Sequence, residues 1–254
     1  MDGLHHRDEG SGPPVVLLHG LASTVRIFDD VVRAGASRYR FVAPDLPRSG
    51  RSKHWAPSVP ATIAERLMPW LEKKGLKKFA LVGHSFGGLV AMEIAARWPH
   101  AVSRLVVASA PALGLPSQMK QLLENPAADL AVGWLSRLPM YRRAVRTYFE
   151  WLWVERGTLG DRHLDIYEEA LRADGVWPSM LEAGRAVAAW RLPLEQLRAG
   201  GVPATVIWGE KDPLVPLIHG EHLATALKAP FEVLPGVGHC VPEQRPAELL
   251  KALD

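Results

Sequence analysis

Apolar residues fall along this chain in two alternating rhythms. Short unbroken runs at Val15–Leu18, Phe41–Ala43, Phe79–Val82, Leu105–Ala108, Ala204–Trp208 and Phe231–Leu234 have the character of strands covered on both faces. Leu4 to Asp8 reads as a short edge strand, set off by the turn Gly10–Pro14. Between the runs, apolar positions recur at helical spacing. The spacing predicts helices over about Val25–Ala34, through Ile63, Leu67, Trp70 and Leu71, through Leu89, Val90, Ile94, Ala95 and Trp98, near His219–Leu227, and over Ala247–Leu253. Pro69 inside the second of these predicts a kink or a late start. Strand alternating with helix predicts an α/β fold, a mostly parallel sheet with helices on both faces.

The alternation stops at Ala110-Pro111 and resumes after Gly200-Gly201-Val202-Pro203. Between them no strand-like run occurs. Apolar and aromatic residues instead return at helical intervals: Leu122, Leu123, Leu130, Trp134, Leu135; Tyr141, Val145, Tyr148, Phe149, Leu152; Leu164, Tyr167, Leu171; Met180, Ala183, Val187, Trp190. Two domains are therefore expected: an α/β core from residues 1–110 and 201–254, and an all-helical insertion of about three to five helices over residues 111–200.

Composition narrows the function classes. With 30 Lys and Arg against 27 Asp and Glu the net charge is only +3, and no basic block of nucleic-acid type stands out. The single cysteine, Cys240, excludes an intramolecular disulfide and fits a reducing compartment. Met1-Asp2-Gly3-Leu4 lacks the basic start and apolar core of a secretory signal. No run approaches the ~18 consecutive apolar residues of a membrane span. A cytoplasmic protein acting on a small molecule is expected, with no nucleic-acid or membrane partner; oligomeric state is left open.

The candidate chemistry sits where the run Phe79–Val82 ends in Gly83-His84-Ser85-Phe86-Gly87 and passes directly into a helix. A sharp strand-to-helix turn projects the residue at its corner, Ser85, from the sheet edge. Gly83 and Gly87 are expected there because a Cβ at either place would press on the opposite limb. The helix N-terminus aimed at the same spot favours negative charge developing beside Ser85. A bare Gly-x-Ser-x-Gly arises by chance in roughly one such sequence in ten, so the strand and helix around it matter. A serine hydroxyl also needs a base and a group to orient that base. His239, on the turn Gly236-Val237-Gly238-His239, follows the last strand. Asp212, in Gly209-Glu210-Lys211-Asp212, follows another. Loops at the carboxyl ends of parallel strands are where such sheets build sites. Glu210 is the alternative orienting acid. His84 reads as a packed neighbour of the corner, His19 as a residue bracing its loop through ring hydrogen bonds to the backbone, and Cys240 as a small buried residue.

Taken together, His19-Gly20, Gly83-His84-Ser85-Phe86-Gly87, Gly209-Glu210-Lys211-Asp212-Pro213 and Gly236-Val237-Gly238-His239 resemble, in this order and over almost the whole chain, the α/β-hydrolase family. The resemblance implies Ser85 as nucleophile, His239 as general base and acid, Asp212 as its orienting partner, and an oxyanion hole from the backbone N–H groups of Leu21 and Phe86. It also implies that the helical insertion is a cap over the cleft. No metal and no cofactor are implied. One stretch departs from the family: in Asp45-Leu46-Pro47-Arg48-Ser49-Gly50, Arg48 stands where a glycine is usual. A solvated arginine is the favoured reading, an anchor for a distal carboxylate the alternative. Trp134 and Trp153 are the candidate cap residues facing substrate, among cap tryptophans that also include Trp151 and Trp177. The cluster Arg137, Arg142, Arg143 and Arg146 reads as a solvated helix face ahead of a docking patch for an acidic carrier protein.

The expected activity is that of a serine hydrolase cleaving carboxylic esters with small to medium acyl chains through an acyl-enzyme. Carbon–carbon bond hydrolysis, lactone opening, perhydrolysis and acyl transfer use the same three residues and stay open, as does a slow-turnover ligand receptor on this fold. Cys240 directly after His239, where the carbon–carbon hydrolases of this family typically carry Trp, counts against the first of these.

Overall fold

The computed structural model of the protein describes residues 4–47, 49–52, 58–115, 117–125, 127, 141–155, 157–171 and 176–254. Strands β1 (His6–Gly10), β2 (Pro14–Leu18), β3 (Arg40–Pro44), β4 (Phe79–His84), β5 (Val102–Ala108), β6 (Ala204–Gly209) and β7 (Phe231–Leu234) form one seven-stranded sheet in the order β1-β3-β2-β4-β5-β6-β7. Only β1 is antiparallel, pairing His6 with Pro44 and Gly10 with Arg40. That register starts the edge strand at His6 rather than Leu4, whose side chain is buried in the core instead.

The pleat sorts the apolar runs onto two faces. Val16 and Leu18 of β2 join the cluster containing Leu67 and Leu71 of α2 (Pro60–Lys73) and Leu89 and Val90 of α3 (Phe86–Arg97). Val15 and Leu17 point the other way, onto Val31 and Val32 of α1 (Asp29–Gly35), which the chain enters through a 3₁₀ turn at Val25–Phe28. All four are fully buried, each stabilising the fold by about 1.5–3 kcal/mol. Helix α2 does not start late, and it runs through Pro69 to Lys73. It begins at Pro60, a residue preorganised for a first turn, and Pro69 lies on its exposed side, where water can meet the carbonyl that loses its N–H partner.

Between β5 and β6 the described residues form helices only: α4 (Ser117–Glu124), α5 (Tyr141–Trp153), α6 (Asp161–Leu171), α7 (Val176–Ala189) and α8 (Leu194–Gly200). Helix α9 (Ile218–Leu227) follows β6, and α10 (Val241–Gln244) and α11 (Pro246–Lys251) follow β7. Phe149, Leu152 and Tyr167 of this helical segment share one apolar cluster with Val237, Cys240 and Val241 of the sheet's last loop.

Strand order places the site. From β2 the chain moves to one side to make β3, then crosses back to make β4 on the other side of β2. The carboxyl ends of β2 and β4 therefore open a crevice between diverging connections. Register aligns the ends: Leu18 lies opposite Gly83, His84 opposite Ala108, Ala108 opposite Ile207, and Gly209 opposite Leu234. Segments 19–21, 85–86, 210–212 and 236–239 consequently emerge along one edge.

Candidate active site

Ser85 takes φ 52° and ψ −118°, a backbone state that side-chain-bearing residues rarely adopt. Two hydrogen bonds hold it there: its N–H donates to the Ala108 carbonyl at 2.8 Å, and its own carbonyl accepts from Gly88 at 2.9 Å. A Cβ on Gly83 would stand 2.5 Å from the Gly87 carbonyl oxygen, across the turn as expected. Gly87 differs from expectation. Its Cβ would stand 2.2 Å from the Leu18 carbonyl oxygen, so its obstacle is the end of β2 rather than the other limb. Gly20 is pressed on the same corner, 3.1 Å separating its would-be Cβ from that of Ser85.

Three side chains from distant parts of the chain meet here. The Ser85 hydroxyl lies 3.0 Å from His239 Nε2, and His239 Nδ1 lies 2.7 Å from Asp212 Oδ2. The other Asp212 oxygen accepts from the backbone N–H groups of Leu214 and Val215, both at 2.9 Å. Burial opposes ionisation of Asp212, but the adjacent imidazole and these amides outweigh it and hold the carboxyl below its ordinary value. An ionised carboxylate at Nδ1 fixes the tautomer that leaves Nε2 able to accept the serine proton. Glu210, the rival acid, is exposed and accepts from Gly236 N–H at 2.9 Å instead.

The loop carrying His239 is fastened from two sides. His84 Nε2 donates to the His239 carbonyl at 2.8 Å, and His239 N–H donates to the Leu152 carbonyl at the end of α5, also at 2.8 Å. Gln244 adds a bridge, its amide donating to the Trp153 carbonyl at 2.9 Å while its oxygen accepts from Gly238 N–H at 3.2 Å. Burial, with the charge of His239 adding to it, pushes the His84 imidazole down to about 3, so the ring is neutral. His19 is a brace, as its position suggested: Nδ1 donates to the Gly20 carbonyl at 2.7 Å and Nε2 accepts from Leu46 N–H at 2.9 Å.

A cavity of about 440 Å³ opens beside Ser85 and His239. Its wall is mainly apolar, including Ile27, Phe149, Leu152, Met180, Val187 and Leu214. Leu21 and Phe86 also border it, and neither backbone N–H donates to an acceptor among the described residues; that of Phe86 opens α3. Trp153 is not in the wall. Its buried ring lies against His163, and its N–H donates to the Thr158 hydroxyl at 2.7 Å, while Trp151, two positions earlier, does line the cavity and is half exposed. The burial of Trp153 corrects its expected contact with substrate. Arg48, Trp134 and Arg137 lie outside the described residues, as do the side chains of Arg142 and Trp177. Arg146 is paired with Asp161 at 2.5 Å and with Glu150 at 3.7 Å, which reduces the basic character of its cluster.

Sequence reasoning missed a polar group in the cavity wall. The Tyr167 hydroxyl bonds Glu243 Oε1 and lies 3.3 Å from the Cys240 sulfur. Burial pushes the Glu243 carboxyl up to about 8, partly opposed by the Tyr167 bond. Cys240 is the buried residue expected, and burial pushes its thiol well above its ordinary value. Glu243 sits one turn beyond Cys240 on α10, a spacing that could have flagged it only once the orientation of that short helix was known. Among the described residues no three His, Cys, Asp or Glu side chains are grouped to hold a metal ion, and no helix is long and apolar enough to cross a membrane.

A mostly parallel sheet with a serine on a tight strand-to-helix corner, facing a histidine and an aspartate from later loops, defines the α/β-hydrolase class of protein. The model of the Alpha/beta hydrolase family matches residues 15–252, and the chain belongs to that family. It is 26% identical over 250 residues to the uncharacterized hydrolase YugF of Bacillus subtilis, covering 95% of this chain and 88% of that one. In structure it resembles a thermophilic esterase from Thermogutta terrifontis (TM-score 0.81, 22% identity, 98% of this chain and 91% of that one). It also resembles the enol-lactonase of Burkholderia xenovorans (TM-score 0.79, 18% identity, 98% and 96%). At those identities the two structural likenesses speak for the fold alone.

Proposed function

We propose that the protein is a serine hydrolase of carboxylic esters, with Ser85 as nucleophile, His239 as general base and acid, and Asp212 as the group that orients and electrostatically supports the imidazole. The observation that carries this reading is the unbroken chain from Ser85 Oγ to His239 Nε2 at 3.0 Å and from His239 Nδ1 to Asp212 at 2.7 Å. In the acylation step the Ser85 oxygen attacks the ester carbonyl as its proton passes to Nε2. The carbonyl oxygen becomes an oxyanion and rests on the N–H groups of Leu21 and Phe86. Collapse of this intermediate expels the alcohol, which takes the proton from Nε2. Water, deprotonated by the same imidazole, then releases the acid and restores the serine. Each oxyanion donor is worth about 10² to 10³ in rate, by analogy with measured cases.

The apolar wall supports uncharged esters with small to medium acyl chains, because a bare charge desolvated among Ile27, Phe149, Leu152 and Met180 would be heavily penalised. In this reading residues 111–200 act as a cap that shapes the pocket, and the core comprises residues 1–110 and 201–254. The test is a panel of nitrophenyl esters from acetate to dodecanoate, with Ser85→Ala as control. Multiple turnovers that vanish in Ser85→Ala are expected. Hydrolysis that survives the substitution overturns the assignment of the nucleophile, and a single stoichiometric burst without turnover would instead favour a receptor.

A further inference from the structure

A third histidine borders the cavity beside His84 and His239, and the mechanism assigned to Ser85, His239 and Asp212 has no use for it. His219 stands in the first turn of α9. The wall around it is apolar: Pro213, Leu214, Val215 and Pro216 belong to its own connection and Leu115 to the one after β5. Nδ1 accepts from the Leu113 N–H at 3.1 Å. A ring nitrogen that accepts carries no proton, so the neutral ring holds its proton on Nε2. Burial keeps the ring below its ordinary 6.5, partly opposed by the charge of Asp212, and the neutral ring is the form present at pH 7. Nε2 has no partner among the described residues, yet it is not shut off from water as the unpartnered Nδ1 of His84 is. The residue is 8% exposed, and the cavity is the space it borders. An open donor of fixed direction therefore stands on an apolar wall.

We propose that His219 is a specificity-determining residue, whose Nε2–H donates a hydrogen bond to a carbonyl or ether oxygen carried by the substrate in addition to its scissile ester. The proposal rests on the ester-hydrolase reading given above. The surroundings select this acceptor. An anion brought to Nε2 would be desolvated on an apolar wall and would meet the negative charge of Asp212, which already acts on this ring. An ammonium group or an amide N–H would set a donor against a donor. A hydroxyl can accept, but its own proton would then be buried without a partner. A carbonyl or ether oxygen accepts and brings no donor of its own. The Leu113 bond fixes both the tautomer and the heading of Nε2 before a ligand arrives, so little freedom is lost on binding.

The experiment uses two pairs of esters matched in shape. Heptyl hexanoate is set against 2-butoxyethyl hexanoate, which places an ether oxygen in the alcohol part. Heptyl 5-methylhexanoate is set against heptyl 5-oxohexanoate, which places a carbonyl in the acyl part. Acid release is followed by titration, and each kcat/KM is divided by the alkaline hydrolysis rate of the same ester to remove differences in intrinsic reactivity. In the wild type the acceptor-bearing ester of at least one pair is expected to lead by about three- to tenfold, the range of one buried hydrogen bond. In His219→Phe that ratio falls to one or below, since the oxygen is then buried against an apolar ring, and in His219→Gln, which still offers an N–H, it is largely retained. Wild-type rates that favour neither acceptor overturn the proposal without recourse to a variant, and so does a preference that persists in His219→Phe. Equal loss in both variants assigns the effect to the Leu113 bond and also overturns it. Melting shifts of Ser85→Ala with the same esters read the contact without turnover. An acceptor-dependent shift in a protein that hydrolyses none of the esters sinks the hydrolase reading and leaves the contact standing. Equal shifts beside normal hydrolysis do the reverse.

Discussion

His84, the residue immediately before Ser85, donates from Nε2 to the main-chain carbonyl of His239 at 2.8 Å, so the strand that presents the serine also anchors the loop that presents His239. The two rings lie 5.0 Å apart. Removing the donor in His84→Ala frees that loop, and a displacement of about 1 Å is enough to lower kcat by roughly 10²-fold with little change in KM. His84→Gln, which still carries an N–H, is expected to recover part of the loss. Equal damage in both variants would assign the ring a packing role only.

The same ring makes the fold acid-sensitive. His84 is pushed down to about 3 from an ordinary 6.5 by burial and by the charge of His239, so between those values the unfolded chain binds a proton that the folded chain refuses. Stability therefore falls as pH drops below about 6.5 toward 3, and His19, also lowered by burial, adds to the slope. Denaturant melts at pH 7 and pH 4.5 should show a smaller loss in His84→Gln than in the wild type.

Glu243 acts with the opposite sign. Its carboxyl is pushed up to about 8 from an ordinary 4.5, so on raising the pH the unfolded chain ionises first and the folded state loses ground throughout that interval. Glu243→Gln removes the titration. Its stability relative to the wild type is expected to rise between pH 5 and pH 8, as measured by paired urea melts; a constant difference would contradict the neutral carboxyl.

Backbone strain at Ser85 gives a further expectation. A non-glycine residue held at φ 52° and ψ −118° costs about 1–3 kcal/mol, and glycine adopts the same state without that penalty. Ser85→Gly should therefore be more stable than Ser85→Ala by about 1 kcal/mol, although both lose the hydroxyl. The melting temperatures of the two inactive variants decide it.

Gly87→Ala tests the approach of β2 to the corner. A Cβ 2.2 Å from the Leu18 carbonyl oxygen meets backbone that cannot yield, and a loss of about 3 kcal/mol is expected. Gly236→Ala is the contrast: its φ is +74° but nothing stands within 4 Å, so only conformational strain of about 1 kcal/mol applies.

Much of this site was legible in residue order because its parts obey strong local rules. Buried parallel strands must be apolar on both faces, so Val15–Leu18 and Phe79–Val82 announce themselves, and a corner without room for Cβ atoms announces Gly83 and Gly87. Asp212 and His239 follow strands, and the parallel register that brings those strand ends level is what lets residues over a hundred positions apart meet. What stayed hidden depends on three-dimensional direction. Trp151 and Trp153 differ by two positions on α5, yet one lines the cavity and the other is buried against His163, because side chains two positions apart on a helix point about 200° apart. The pairing of Tyr167 with Glu243 joins two helices with no shared sequence signal. Pro69 predicted a kink or a late start, but α2 begins at Pro60 and Pro69 lies on its wet side, where its missing N–H is harmless.

The bond from His239 N–H to the Leu152 carbonyl has a mechanical corollary. Helix α5 and the imidazole's loop are riveted together, with Gly238 packed so tightly that its would-be Cβ lies 2.1 Å from the same oxygen. Any swing that lifted α5 to admit a bulky guest would drag His239 out of line with Ser85. In the proposed mechanism, a molecule too wide for the pocket meets a wall whose displacement separates His239 from Ser85, and size exclusion and loss of reactivity become one event.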